Sequence, residues 1–189
     1  MLRWSAFSAL AYGARGLFWR GAGRCAPLGS PKFGLLASIN RRIAQWGNTF
    51  VASARSQGDF PGGGYNVTKL WSTGFALPYA VAPAAGGASD MVQSADLDVL
   101  VASLGTMGIE PRTTLIYVVD QRVDPKPGGA PPRELTVQLR KDVQAMQPLE
   151  GDCAASRCQC GMSLLGSTLK LRLPGGSGQL VALVLASDN

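Results

Sequence analysis

Two helices are predicted in the first third of the chain by the spacing of its apolar residues. The first covers Arg3–Tyr12, where apolar side chains recur every three or four positions and so share one face: Trp4, Phe7, Leu10 and Ala11. The second covers Lys32–Ser53, whose apolar stripe consists of Leu35, Leu36, Ile39, Ile43, Trp46 and Phe50. Pro31 suits the start of this helix because proline is accepted in the first turn.

The residues between these helices are predicted to form a short strand and a loop. Leu17–Trp19 is predicted to be a buried strand with Phe18 in the core, and residues 20–31 are predicted to be a loop. After a linker at 54–64 the pattern changes to short alternating stretches divided by glycine and proline, which is typical of a β-sandwich or barrel. The candidate strands are 65–73, Leu97–Val101, Thr113–Asp120, Leu135–Leu139, Leu169–Leu173 and Gln179–Ala186.

The loop Pro174–Gly178 predicts a β-hairpin over Thr168–Ala186, because its glycines supply the positive φ angles that such turns need. We therefore expect an α+β fold. A helix-strand-helix segment over residues 1–58 would precede an antiparallel β-sandwich of about six or seven strands over residues 65–189.

The charges are distributed unevenly. All 12 Asp and Glu residues lie in residues 59–189, whereas 8 of the 18 Lys and Arg residues lie in residues 1–58. The net charge is therefore +8 for the first 58 residues and 10 − 12 = −2 for the rest. An acid-free, Arg-, Ser- and Ala-rich start is typical of a transit peptide. In that interpretation the chain is an organelle-targeted β-sandwich binding module, mitochondrial or plastid, which loses residues 1 to about 30 on import.

The composition excludes several kinds of site. The chain contains no histidine, so neither a Ser-His-Asp nor a Cys-His mechanism can be built within it, and no metal or cofactor is expected. Asp96 and Asp98 would face the same side of a strand; an acid/base pair can be drawn there, but solvent exposure is the simpler interpretation. No Lys/Arg-rich run or nucleic-acid motif is present, so no nucleic-acid partner is expected. No run of about 18 apolar residues predicts a transmembrane helix.

Two further motifs have open interpretations. Cys153, Cys158 and Cys160 are either free thiols in a loop, partners in a disulfide in an oxidising compartment, or an incomplete metal site, since zinc requires four ligands. Asn66-Val67-Thr68 is an N-glycosylation sequon, which matters only if the chain is secreted.

The N-terminal segment resembles the end of a (β/α)₈ barrel. Residues 3–19, RWSAFSALAYGARGLFW, are similar to the seventh helix and eighth strand of barrel glycoside hydrolases of the β-galactosidase type. Ile39–Gly47 resembles the helix that closes such a barrel, and the β-rich region would match the trailing β-sandwich, with Leu173–Leu180 in its last hairpin. The resemblance covers residues 3–50 and, more loosely, 65–185.

This resemblance implies the C-terminal part of a glycoside-hydrolase-like protein that acts on carbohydrate. Its glutamates, Glu110, Glu134 and Glu150, all lie in the β-rich part, so both catalytic carboxylates of the barrel would be missing and the chain would be non-catalytic by itself. Trp19 would line the sugar-binding face at the end of the eighth strand, or else pack in the core. Carbohydrate would bind through the missing barrel, and a secretory location would suit a glycosidase. A third interpretation is a structural domain that binds a protein through an edge strand.

Overall fold

Three helices and nine strands form the described part of the chain. The computed structural model describes residues 2–12, 14, 16–20, 22–55, 67–72, 91–104, 113–123, 130–140, 143–148 and 161–186. The helices are α1 (Leu2–Ala11), α2 (Ala22–Cys25) and α3 (Pro31–Arg55). The strands are β1 (Val67–Ser72), β2 (Val92–Ala95), β3 (Val99–Leu104), β4 (Thr113–Asp120), β5 (Arg133–Leu139), β6 (Val143–Pro148), β7 (Met162–Leu165), β8 (Thr168–Leu173) and β9 (Gly178–Leu185). Among the described helices, none combines the length and apolarity needed to cross a bilayer.

The strands make two antiparallel sheets that pack face to face. One sheet has the order β1-β3-β4-β9-β6 and the other the order β2-β5-β8-β7. Alternate residues of the five-stranded sheet, such as Val101, Ile116 and Val181, meet the apolar side of the four-stranded sheet, where Leu135 and Leu171 are buried. The α+β class with a β-sandwich arrangement is thus confirmed. The strands that the sequence pattern did not predict are β2, β6 and β7.

The helices α1 and α3 form a helical layer on the other face of the five-stranded sheet. Strand β4 shows why both faces are covered: Tyr117 and Val119 belong to the core beneath the helices, whereas Ile116 and Val118 belong to the core between the sheets. An apolar residue at every position of a strand can be buried only when layers lie on both sides. The helices predicted over Arg3–Tyr12 and Lys32–Ser53 are confirmed as α1 and α3.

The segment Leu17–Trp19 corrects the helix-strand-helix prediction, because it forms no strand and belongs to no sheet. Leu17 and Trp19 pack against the core beneath the helical layer, while Phe18 is 90% exposed rather than buried. The side chains alternate as in a strand. However, the helices already cover this face of the five-stranded sheet, whose edges are β1 and β6. The segment therefore crosses the helical layer with no neighbouring strand in the described residues to pair with.

The predicted hairpin over Thr168–Ala186 is also wrong. Strand β8 pairs with β5 and β7, and β9 pairs with β4 and β6, so residues 174–177 cross from one sheet to the other. Strand β8 buries every second residue, whereas β9 is buried continuously from Gly178 to Leu183. Because β9 is apolar on both faces, it lies in the middle sheet, and β8 lies in the outer one.

A hairpin does join β7 to β8, through Gly166 and Ser167. Leu165 pairs with Thr168 across this two-residue turn, and Gly166 has a φ of 58°, which a glycine adopts without a steric penalty. The division of the chain into residues 1–58 and 65–189 stays a prediction. The helical layer shares its core with the sheet, and residues 56–66 lie outside the described residues.

Candidate functional site

Trp19, the predicted sugar-binding residue, lies against the middle of α3. Its indole Nε1 donates a hydrogen bond to Oδ1 of Asn40 at 2.9 Å, and its ring packs partly on the core beneath the helical layer. Its neighbours Phe18 and Arg20 are exposed. Trp19 is half-buried, so one edge of the indole is fixed while part of the side chain remains open to solvent. That it binds sugar stays a prediction.

A buried aromatic cluster lies beneath this surface and joins the helical layer to the sheet. Trp46 of α3 is fully buried between Phe7 of α1, whose ring centroid is 6.0 Å away, and Tyr117 of β4, whose centroid is 5.5 Å away. Both contacts are edge-on, which is a favourable geometry for aromatic rings. Because these three rings are closed off from solvent, the cluster acts as packing.

Arg42 adds a polar contact to this cluster. Its guanidinium carbon lies 5.4 Å from the Trp46 ring centroid, and Nη2 donates to Oε1 of Gln179 at 2.6 Å. Arg42 and Trp46 are four residues apart on α3, so both project from the same side of the helix. The contact ties α3 to β9, and a cation over an indole face is itself stabilising.

The most highly connected carboxylate of the described residues is Asp120, at the end of β4. Its side chain is fully buried and accepts hydrogen bonds from Arg122 Nη2 at 2.7 Å and from Arg133 Nη2 at 3.1 Å. These arginines also donate to the carbonyl oxygens of Pro131 and Leu97, respectively. The cluster thus joins three stretches of chain at one end of the sandwich. A buried carboxylate with two guanidinium partners serves as a structural anchor.

The sequence pattern did not single out this cluster, although it contains a signal. Asp120 ends a continuous apolar strand, and Arg122 follows two residues later, which is the spacing that places two side chains on the same side of an extended chain. The backbone of Asp120 also fixes the crossing residues between β8 and β9. Its N–H donates to the Ser177 carbonyl, and its own carbonyl accepts from the Gly176 N–H, both at 2.9 Å.

Asp96 and Asp98 do not form a pair on a strand, which corrects the sequence interpretation. They lie in the turn between β2 and β3, and Leu97 between them is exposed rather than on the inner face. Oδ2 of Asp96 accepts a hydrogen bond from the backbone N–H of Thr136 at 2.7 Å. Asp98 has a φ of 60°, a left-handed conformation that Asp tolerates in turns better than most residues. Both carboxylates are thus part of the turn between β2 and β3.

Two further side chains with ionisable groups lie at the surface of the described residues. Glu134 forms an exposed ion pair with Lys170 at 3.0 Å, and Cys25 is an exposed free thiol. Burial raises the pKa of the Tyr12 phenol. In the part of the chain that the structure describes, no three Cys, Asp or Glu side chains gather to hold a metal ion. Six residues that the sequence pattern singled out lie outside the described residues: Asn66, Glu110, Glu150, Cys153, Cys158 and Cys160.

Comparison with known proteins gives one slight likeness. No protein-family profile and no curated protein matches the chain. Among solved structures, an α-L-fucosidase (isoenzyme 2) from Paenibacillus thiaminolyticus, a glycoside hydrolase, is similar with a TM-score of 0.27 and 11% sequence identity. The match covers 50% of this chain and 15% of the fucosidase chain. A likeness of this size does not establish a shared fold.

Proposed function

We propose that this chain is the C-terminal, non-catalytic part of a glycoside-hydrolase-like protein that acts on carbohydrate. The carbohydrate part of the proposal is supported by the sequence resemblance of residues 3–50 to the end of a β-galactosidase-type barrel. The proposal that the whole chain is one non-catalytic part of that protein rests on one structural observation. The helical layer does not stand apart from the sandwich: Phe7, Trp46 and Tyr117 bring α1, α3 and β4 into one core.

The non-catalytic assignment is supported by what the described carboxylates do. Glycosidases need two carboxyl groups that flank the bond to be cleaved, separated by about 5–9.5 Å. Asp120 is held by two arginines, Glu134 by Lys170, and Asp96 by a backbone N–H, while Asp98 lies in a tight turn. The contacts of Asp120 and Asp96 hold these two groups as parts of the scaffold. As the barrel resemblance implies, we propose that the catalytic carboxylates belong to earlier strands of a barrel outside this sequence.

Trp19 is proposed as the residue of this chain that contacts the sugar. The C–H faces of a pyranose pack well on an indole, and the hydrogen bond to Asn40 fixes the ring in advance, so little side-chain entropy is lost on binding. In the complete protein this residue would line the rim of the sugar-binding face.

The test combines turnover and binding on the purified chain. With a panel of aryl glycosides we expect no hydrolysis, and with the corresponding free sugars we expect weak saturation-transfer signals that Trp19→Ala abolishes. Phe18→Ala is the matched control, because it removes the adjacent exposed aromatic side chain and should leave the signals unchanged. Hydrolysis by the chain alone would contradict the non-catalytic assignment. Sugar signals that are absent, or that survive Trp19→Ala in a variant with an unchanged circular dichroism spectrum, would remove Trp19 from the site.

The alternative, an organelle-targeted module, is favoured by the charge asymmetry and opposed by the packing of α1. Cleavage near residue 30 would remove Ala6, Phe7, Leu10 and Ala11 from the core beneath the helical layer. We therefore propose that α1 stays in the folded protein. In cells that express the chain with a C-terminal tag, the N-terminal sequence of the recovered protein should still include α1. Recovery of a chain that begins near residue 30 would favour the targeting interpretation.

A further inference from the structure

We propose that the segment between α1 and α3 is a docking surface for an anionic lipid bilayer. We call residues 18–33 the connecting segment. Three large apolar side chains in it are turned to solvent: Phe18 is 90% exposed, Leu28 is 85% exposed and Phe33 is 39% exposed. A single exposed apolar residue needs no explanation, but several in one short segment indicate an interaction surface.

Contacts with α3 place two of these side chains, Phe18 and Phe33, along the same helix. The hydrogen bond from Trp19 to Asn40 fixes the start of the connecting segment beside α3. Its end is the first turn of α3, where the N–H of Phe33 donates to Oγ of Ser30 at 3.2 Å. Phe33 and Asn40 are seven residues apart, which is two helical turns, so they project from one side of α3 about 10 Å apart. Phe18, next to Trp19, and Phe33 therefore lie along the N-terminal half of α3.

The charges within residues 1–58 have one sign. Arg20, Arg24, Lys32 and Arg41 are all exposed in or beside the connecting segment. No Asp or Glu occurs anywhere in residues 1–58, so no carboxylate in this stretch neutralises them. A segment with several cations, no carboxylates of its own and protruding apolar side chains is complementary to a lipid headgroup layer, which is negative throughout and apolar just below.

A bilayer explains this pattern better than an acidic protein does. Protein interfaces obtain their affinity from side chains that fill preformed pockets within a packed, continuous contact. Phe18 and Leu28 are instead almost fully exposed and are separated by nine residues that include Arg20 and Arg24. A fluid bilayer accepts isolated protruding side chains at any spacing, and its uniform charge matches a segment without carboxylates. An acidic protein partner is the rival outcome of the test.

The test uses sedimentation of the full chain with vesicles. We expect the chain to bind vesicles of phosphatidylcholine with about 30% phosphatidylserine, to bind much less to phosphatidylcholine alone, and to be released as salt shortens the range of the attraction. Phe18→Ser with Leu28→Ser should weaken binding to the anionic vesicles by about tenfold or more for each residue. Leu165→Ser is the matched control, because Leu165 is 83% exposed at the β7–β8 turn of the outer sheet.

A second pair of variants separates the local charge from the total charge. Arg20→Ala with Arg24→Ala and Lys170→Ala with Arg172→Ala both lower the net charge from +6 to 6 − 2 = +4. The first pair should weaken binding by about fivefold for each cation, and the second should leave it nearly unchanged. The substituted side chains lie outside the cores, so unfolding temperatures near that of the parent chain confirm that the variants are folded.

Three results would overturn the proposal. The first is no binding to the anionic vesicles, including the case in which the chain binds an acidic polypeptide in their place. The second is an equal loss of binding in Leu165→Ser and in the Phe18 and Leu28 variant. The third is an equal loss in the two charge variants, which would mean that total charge, rather than the connecting segment, drives the attraction.

Discussion

Replacing Phe7 by alanine tests whether α1 belongs to the folded protein. Phe7 is 2% exposed and meets the Trp46 ring edge-on in the core beneath the helical layer. Removing a buried phenylalanine ring costs about 3–5 kcal/mol, because transfer free energy is lost and a cavity is left. The net stability of a typical domain is about 5–15 kcal/mol, so we expect Phe7→Ala to remove a large share of it.

The matched control is the same substitution at Phe18, whose ring is exposed and outside both cores. There we expect a change within about 0.5 kcal/mol. In thermal unfolding followed by circular dichroism, a chain of this size shifts by about 2–4 °C per kcal/mol, so Phe7→Ala should lower the Tm by about 6–20 °C. If the two variants unfold at the same temperature, α1 does not pack on the sheet. The basic N-terminus would then again be best explained as a removable targeting segment.

Two further pairs of variants test the sheet contacts by urea denaturation. Gly178→Ala should destabilise the protein by about 1–3 kcal/mol, because the added Cβ would lie 2.3 Å from Oη of Tyr117. Gly34→Ala, where the helix is open to solvent, should stabilise it by about 1 kcal/mol, and shifts of the same sign would contradict this reasoning. Asp120→Asn should cost about 3–5 kcal/mol, because it leaves two arginines without their anion, whereas Glu134→Gln at an exposed pair should cost less than about 1 kcal/mol. Equal costs would mean that the buried cluster is not the anchor described above.

The helices were predictable because their signal is local. In α3 the apolar residues Leu35, Ile39, Ile43 and Trp46 follow the helical period, and the structure turns them toward the sheet. The three missed strands, β2, β6 and β7, all lie at sheet edges. Strand β6 pairs with β9 more than 30 residues later, so its conformation depends on a neighbour that no local pattern identifies.

The wrong hairpin shows where a turn signal fails. Glycines in residues 174–178 permit a tight reversal, and Gly176 does have a φ of 71°, but the same freedom serves a loop that crosses between two sheets. Whether the loop forms a hairpin or a crossing depends on how many faces of each flanking strand must be buried. The sequence shows β8 alternating and β9 apolar on both sides, and strands with such different demands belong to different layers.

The Asp120 cluster could not be predicted from the sequence, for a different reason. Asp120 and Arg122 are near in sequence, but Arg133 and the carbonyl of Leu97 reach them only because the end of β4 meets β5 and the β2–β3 turn. The burial of Phe18 was predicted wrongly for another reason. The sequence pattern does predict that Phe18 faces the opposite side from Leu17 and Trp19, but which of the two sides faces the core depends on how α3 lies across the sheet.

The layer order limits where a partner can bind. Helices and the four-stranded sheet cover the two faces of the five-stranded sheet, so the broad surfaces of the described residues are the outer sides of the helical layer and of the four-stranded sheet. The latter carries both signs, with Glu134 paired to Lys170 and Arg172 beside them, as expected of a solvated face. The helices of the helical layer carry cations alone, and the connecting segment beside them exposes Phe18 and Leu28. A surface with one sign of charge and unburied apolar side chains is the one that gains most from a partner, so recognition is best sought there.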